Sequence, residues 1–121
     1  RRRSVAFVFS DFFTDGFERA LSLAAARHDV IRVLLVDPRD ERLPDVGLAT
    51  FEDLETGDDV VVDTSSPAVR EHYARLMQAQ RARQIRLFRK LALDHVVVRT
   101  DQPYVRPFRE LFARRARRAR R

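Results

Sequence analysis

The 121 residues suffice for one domain, and a composition of 45% hydrophobic and 35% charged residues marks a globular chain rather than a disordered one. No apolar run approaches the ~18 residues of a membrane span, the opening Arg1-Arg2-Arg3 followed by a short apolar run does not read as a signal peptide, and the absence of cysteine excludes disulfides and thiolate chemistry. The formal net charge is +6, and Arg114, Arg115, Arg117, Arg118, Arg120 and Arg121 account for all of it, so the body of the domain is near neutral and the basicity is local to the C-terminus.

The stretch SVAFVFSDFFTD over residues 4–15 organises the rest. Its unbroken apolar run, 5–9, has no polar alternation and reads as a central strand of a parallel sheet, buried on both faces. Ser10-Asp11 ends it. Asp15 and Glu18 then have the spacing of a capping box, and a helix is expected over 16–27, with Phe17, Ala20, Leu21, Leu23 and Ala24 on its apolar face. His28 reads as a helix-end residue rather than a ligand, since no second histidine lies near it in sequence.

A second strand is expected over 30–36, interrupted by Arg32 and closed by Asp37-Pro38, followed by a polar loop over 38–46. Residues 48–54 and 59–63 read as a hairpin with Gly57 in its turn. Ser66-Pro67 is a strong helix start, and this helix should run to about residue 93, with an arginine-rich, solvated middle. A third main strand is expected over 95–100, and a final helix over 103–112 with Tyr104, Val105, Phe108, Leu111 and Phe112 as its apolar residues. From Ala113 onward no apolar stripe remains, so residues 113–121 are expected to form a frayed, arginine-rich helical tail on a domain spanning 1–112. The order β-α-β-hairpin-α-β-α defines an α/β fold with a mainly parallel sheet.

Three strand ends carry aspartates, Asp11, Asp37 and Asp101, which should share the carboxyl edge of the sheet, where ligands bind in open α/β folds. Carboxylates there suit Mg²⁺, which takes oxygen ligands. Aspartate is also common as a turn residue after strands. That plainer reading is preferred for Asp37, before Pro38, and for Asp101, a candidate helix cap; Asp11 is preferred as functional because Asp15 serves as the cap. The three glycines form no phosphate-cradling loop. Asp11 is followed by Phe12-Phe13 rather than by the second aspartate of a D-x-D pair, Lys90 lies mid-helix, where a receiver domain would want a lysine after a late strand, and the three histidines make no metal-binding pair. Nothing in the chain asks for a catalytic role.

The segments Ser10-Asp11-Phe12, Arg27-His28-Asp29-Val30, Asp37-Pro38-Arg39, Leu43-Pro44-Asp45-Val46-Gly47, Glu55-Thr56-Gly57, Val62-Asp63-Thr64-Ser65 and Thr100-Asp101 follow one another along nearly the whole chain. In that series the chain resembles the C-terminal half of the von Willebrand factor A-like domain in the bacterial domain-of-unknown-function-fifty-eight family. The resemblance implies a Rossmann-like α/β fold with a β-hairpin insertion and a metal-ion-dependent adhesion site at the carboxyl edge of the sheet. Asp11 matches the late aspartate of that site and is the metal residue the resemblance assigns here, with Mg²⁺ as the cofactor of the complete domain. The D-x-S-x-S that would supply other ligands is absent. Asp63-Thr64-Ser65-Ser66 matches it at first and fails at Pro67. Members of the family resemble partners of MoxR-type AAA+ ATPases, which implies a cytoplasmic adaptor in protein assembly or maturation, of the type without membrane spans.

The competing reading is nucleic-acid binding through the arginine tail, by neutralising phosphates. No aromatic residue follows Phe112, so no stacking platform accompanies these charges, and a solvated end is the preferred reading. As half of a sheet, the chain is expected to place its three main strands side by side in chain order, with both long helices on one face and the final helix on the other. The outer edge of the first strand would be open, awaiting a strand and covering helices from an upstream half.

Overall fold

The computed structural model describes residues 2–53 and 56–120. The chain divides into two compact units, Arg1–Asp37 with Ala82–Arg121, and Pro38–Arg81, and the boundary falls inside one long helix.

The first unit holds a parallel sheet of three strands, β1 (Val5–Ser10), β2 (Asp29–Val36) and, late in the chain, Asp94–Arg99, which is β5 in chain order. The order is β1-β2-β5, as the sequence predicts. Val5 pairs with Asp29 and Ser10 with Leu34, while Ile31 pairs with Asp94 and Val36 with Arg99. The central strand is therefore β2, and its residues are the most buried: Ile31, Val33, Leu34 and Val36 are almost wholly enclosed. Side chains alternate across a strand, and each face of β2 meets its own cover. Val30, Leu34 and Val36 pack with Leu21 of α1 (Glu18–Ala25), with Phe12 and with Phe88 near the end of α3 (Pro67–Lys90). Ile31 and Val33 pack with Val96 and with Leu111 of α4 (Val105–Ala119). Two helices on one face and one on the other is the expected arrangement.

Four expectations differ. β1 lies at the open edge, as expected of half a sheet, but it is not buried on both faces: Val5, Phe7 and Phe9 are 57%, 40% and 58% exposed. Its apolarity is real, but among the described residues only β2 pairs with it. The capping box over Asp15–Glu18 does not form. α1 begins at Glu18, no side chain caps Phe17, and Gly16 takes φ +83° in the turn ahead of it. α3 stops at Lys90, and Ala92 at φ 52° reverses the chain into β5, a left-handed stop of the kind helices use at their C-termini. Finally α4 runs unbroken to Ala119, so the helical tail expected from Ala113 continues the final helix without a break. It also reaches β1, with Phe108 and Phe112 in ring contact with Phe7.

The second unit contains the hairpin, β3 (Leu48–Glu52) antiparallel to β4 (Asp59–Asp63), paired from Leu48 with Asp63 to Glu52 with Asp59. Leu54 and Glu55, part of the expected hairpin, lie outside the described residues, while Gly57 takes the positive φ its turn position requires. The expected loop over 38–46 opens with one helical turn, α2 (Pro38–Glu41). Ser66 accepts from the Val69 amide at 3.5 Å at the start of α3, as its position before Pro67 predicts.

One side chain breaks the apolar pattern of β2. Arg32 is fully buried, its guanidinium 4.2 Å above the Phe88 ring. One of its nitrogens donates to the carbonyls of Phe88, at 3.0 Å, and Leu93. Burial lowers its pKa to about 10, against the raising effect of Asp94, so it remains charged at neutral pH. Replacing Arg32 by alanine should cost about 3 kcal/mol or more, since it opens a cavity and removes the donor to one buried and one half-buried carbonyl. Arg32→Met keeps the stem's volume and removes the buried charge, and should cost clearly less. Urea unfolding of both variants gives the comparison.

Candidate functional site

The carboxyl end of the parallel sheet is built from the turn after β1. Ser10 Oγ accepts from the Phe12 amide at 3.0 Å and Asp11 Oδ1 from the Phe13 amide at 3.1 Å. Phe12 takes φ 54°, unusual for an aromatic residue, and costs of this kind reach about 1 kcal/mol or more. The cost is offset by burying its ring edge-on against Phe17 and Phe88, with centroids 5.1 and 5.0 Å away. From α3, the buried Gln84 amide donates to the Asp11 carbonyl at 3.1 Å and the Phe12 carbonyl at 2.8 Å. The turn is thus fixed from both sides, and the Asp11 side chain stands exposed on it.

Asp37 and Asp101 follow the carboxyl ends of β2 and β5, so the three strand-end aspartates share that end of the sheet, as expected. They differ in surroundings. Asp101 pairs with Arg99 at 3.3 Å, and the Thr100 amide donates to the Val36 carbonyl at 2.9 Å. Among the described residues, no three histidine, aspartate or glutamate side chains come together in a group able to hold a metal ion. The residues present therefore do not make a complete Mg²⁺ site, and Asp11 offers one carboxylate oxygen beyond the one that accepts from Phe13.

In the second unit, the segment that begins like D-x-S-x-S is a turn leading β4 into α3. Asp63 Oδ1 accepts from the Ser65 hydroxyl at 2.5 Å and the Ser65 amide at 3.0 Å, and these bonds hold its carboxyl below the usual range. Thr64 is fully buried, donating through Oγ1 to the Gly47 carbonyl at 2.6 Å and accepting from the Val46 amide at 3.0 Å.

Sequence reasoning missed an apolar groove of about 730 Å³ in the first unit, lined by Phe9, Val98, Tyr104, Val105, Phe108 and Arg109. It lies where β1 and β5 approach their carboxyl ends under the start of α4. The helical spacing of Tyr104, Val105 and Phe108 was visible in the sequence, but their incomplete cover was not. Tyr104 and Val105 remain 64% and 52% exposed.

The amino end of the sheet is closed by charge. Arg115 donates to Asp29 and, at 3.1 Å, to Asp94, and Arg118 donates to Asp94 at 2.6 Å. The bond to Asp29 raises the Arg115 pKa. Two arginines of the tail expected to be solvated are therefore committed to carboxylates, while Arg121 lies outside the described residues. His28 is indeed an end residue, accepting through Nδ1 from the Ser4 amide at 3.4 Å. Beside this cluster, burial holds His95 below its ordinary pKa, with Arg32, Arg114 and Arg89 adding repulsion against the opposing effect of Asp94.

A mixed α/β protein with a mainly parallel sheet and a small antiparallel hairpin is the class these elements define. Within it, the chain belongs to the family described as protein of unknown function DUF58, whose model matches residues 1–83. Uncharacterized proteins of Mycobacterium tuberculosis and Mycobacterium bovis are 39% identical to it over 107 residues, which is 87% of this chain and 33% of each relative. An uncharacterized protein of Mycobacterium avium is 34% identical over 108 residues, 87% of this chain and 62% of that protein. The chain thus spans about a third of the length of the first of these curated relatives. No solved structure matches it. Among the described residues, no helix is long and apolar enough to cross a membrane.

Two outcomes are expected. Arg115→Ala should lower stability by about 1–2 kcal/mol, between the ranges for exposed and buried pairs, while Arg117→Ala should change it by less than about 0.5 kcal/mol; thermal unfolding of the two variants separates them. The lowered pKa of His95 means that the unfolded chain binds its proton first as pH falls. Stability should therefore drop as pH falls through about 6.5, and His95→Gln should flatten that part of the profile, as read from urea midpoints across pH 5–8.

Proposed function

We propose that the chain is part of a protein-interaction module of von Willebrand factor A-like type, a binding rather than a catalytic protein. Asp11 carries the reading. It is an exposed carboxylate at the carboxyl end of a parallel sheet, on a turn held by Ser10, Gln84 and its own bond to Phe13. A rigid turn presents a ligand without an ordering cost at the moment of binding. The series of family-like segments supports the same assignment, and the apolar groove beside β1 supplies the kind of surface on which proteins dock.

In this reading Asp11 supplies one ligand to Mg²⁺, and the remaining ligands come from sequence outside residues 1–121 in a protein of the relatives' length. The partner proposed is a MoxR-type AAA+ ATPase, met in the cytoplasm, with the module acting as an adaptor in protein assembly or maturation.

The experiment uses the full-length protein. Asp11→Ala should weaken Mg²⁺-dependent capture of the ATPase about tenfold or more, whereas Asp37→Ala and Asp101→Ala should change thermal stability and leave capture within about threefold. Identical Mg²⁺ titrations for wild type and Asp11→Ala would overturn the assignment.

A further inference from the structure

We infer that the β3–β4 hairpin is a docking arm for a basic amphipathic segment of another protein. Residues directly opposite in an antiparallel ladder share a face. Ala49 with Val62, and Phe51 with Val60, therefore form one wholly apolar face, while the other face carries Glu52 opposite Asp59. The apolar face is half-buried at its root, by Ala49 and Val62, but Phe51 and Val60 are 40% and 52% exposed.

The root is held firmly. Thr64 bonds across to Gly47 and Val46, and Arg70 donates to the Thr64 carbonyl at 2.7 Å and pairs with Asp45 at 3.5 Å. A two-stranded ribbon without further cover is marginal in water, and the far end of this one carries an added handicap. The Asp53 amide donates to the Asp58 carbonyl at 2.8 Å, and the Thr64 amide to the Gly47 carbonyl at 2.9 Å. By the alternation of the ladder, Glu52 and Asp59 are then a non-hydrogen-bonded pair, in which opposed side chains come closest. Like charges placed so are destabilising. Neither residue has an ion-pair partner among the described residues, and nor does Asp58.

The charge selects the occupant. Residues 43–69 hold seven carboxylates and no lysine, arginine or histidine, in a chain of net charge +6. A purely apolar surface laid on Phe51 and Val60 would desolvate the neighbouring carboxylates without partners, which is costly. A segment whose apolar residues are flanked by lysine or arginine covers the face and relieves the Glu52–Asp59 repulsion together. Charges that weaken a strand pair while keeping its apolar face soluble suit a surface that meets water between encounters. A permanent contact within one polypeptide gains nothing from them.

This inference does not rest on the reading of Asp11 as a metal ligand, and it is tested on the full-length protein in EDTA, where that reading predicts no binding. The probe is a labelled helical peptide with leucine on one face and lysine on the other, followed by fluorescence anisotropy. A peptide of the same residues shuffled to remove the apolar face should bind about tenfold more weakly. Glu52→Lys should weaken binding about tenfold, and so should Val60→Thr, which keeps a good strand former and removes apolar contact. Asp15→Lys, an equal charge change on another exposed carboxylate, should leave binding within about twofold. Glu52→Lys also turns a like-charge pair into an opposite one, so hydrogen-exchange protection of the hairpin amides should rise about threefold. Misfolding cannot give a loss of binding together with a gain of protection. Equal binding of the shuffled peptide, equal effects of Asp15→Lys and Glu52→Lys, or a peptide footprint away from the hairpin would overturn the inference. So would slow thiol labelling of Val60→Cys in the full-length protein, which would assign the face to another part of the same polypeptide. Self-association abolished by Glu52→Lys would instead assign it to a second copy, and protection gained from Mg²⁺ alone to a cation; either result overturns it as well.

Discussion

The buried guanidinium of Arg32 is the constraint on which the first unit depends. A central strand enclosed on both faces tolerates a charge only if the charge is used, because desolvating it costs several kcal/mol. Two uses are visible. The cation lies over the Phe88 ring at 4.2 Å, a contact worth about 2 kcal/mol when solvent is excluded. It also donates to Phe88 and Leu93, carbonyls at the end of α3 and just before β5. The last carbonyls of a helix lack partners within it and carry the negative end of its dipole. Arg32 therefore caps α3 from inside the sheet and fixes where β5 begins beside β2. Its Nε and remaining terminal nitrogen have no partner among the described residues, so the site is held by geometry rather than by full satisfaction.

From that point the two ends of the sheet diverge. At the amino end, Asp29 and Asp94 sit at the starts of neighbouring strands and are bridged by Arg115. This pins the middle of α4 across β2 and β5 and brings Phe108 and Phe112 over to Phe7 of β1. At the carboxyl end the chain is held through backbone: Gln84 on two carbonyls, Ser10 and Asp11 on two amides. Ion pairs consume the side chains they use. Asp11 spends one carboxylate oxygen on its turn and stays exposed, as do Tyr104 and Val105 of the groove.

Much of this was legible in the sequence. The strands, their order, the hairpin, the Ser66-Pro67 helix start and the division of helices between faces all follow from apolar period and turn chemistry, which are local signals. The departures share a cause, since each depends on a partner distant in sequence. The run over β1 shows a strand able to be buried on both faces, but whether it is buried depends on what pairs with its edge. Arg115 and Arg118, two of the six arginines near the C-terminus, look as solvated as the rest until Asp29 and Asp94 are known to bond to them. Arg32 reads as an interruption of β2 because nothing within several residues shows that a helix ends above it. Asp15 has the spacing of a cap, yet the positive φ of Gly16 carries the chain past it, and α1 starts without a side-chain cap.

The candidate site was legible in its position and less so in its composition. A strand-end aspartate after an apolar run was enough to single out Asp11. That its carboxylate already serves a turn, and that no neighbouring carboxylates gather with it among the described residues, required the structure. The two facts are compatible. A turn that accepts one backbone amide through Oδ1 leaves Oδ2 unused by that turn, suited to one metal bond or to one charged hydrogen bond. Which of these it serves is set by what approaches from outside these residues. Position and rigidity are encoded locally, whereas the identity of the group that meets Asp11 belongs to the next layer of assembly.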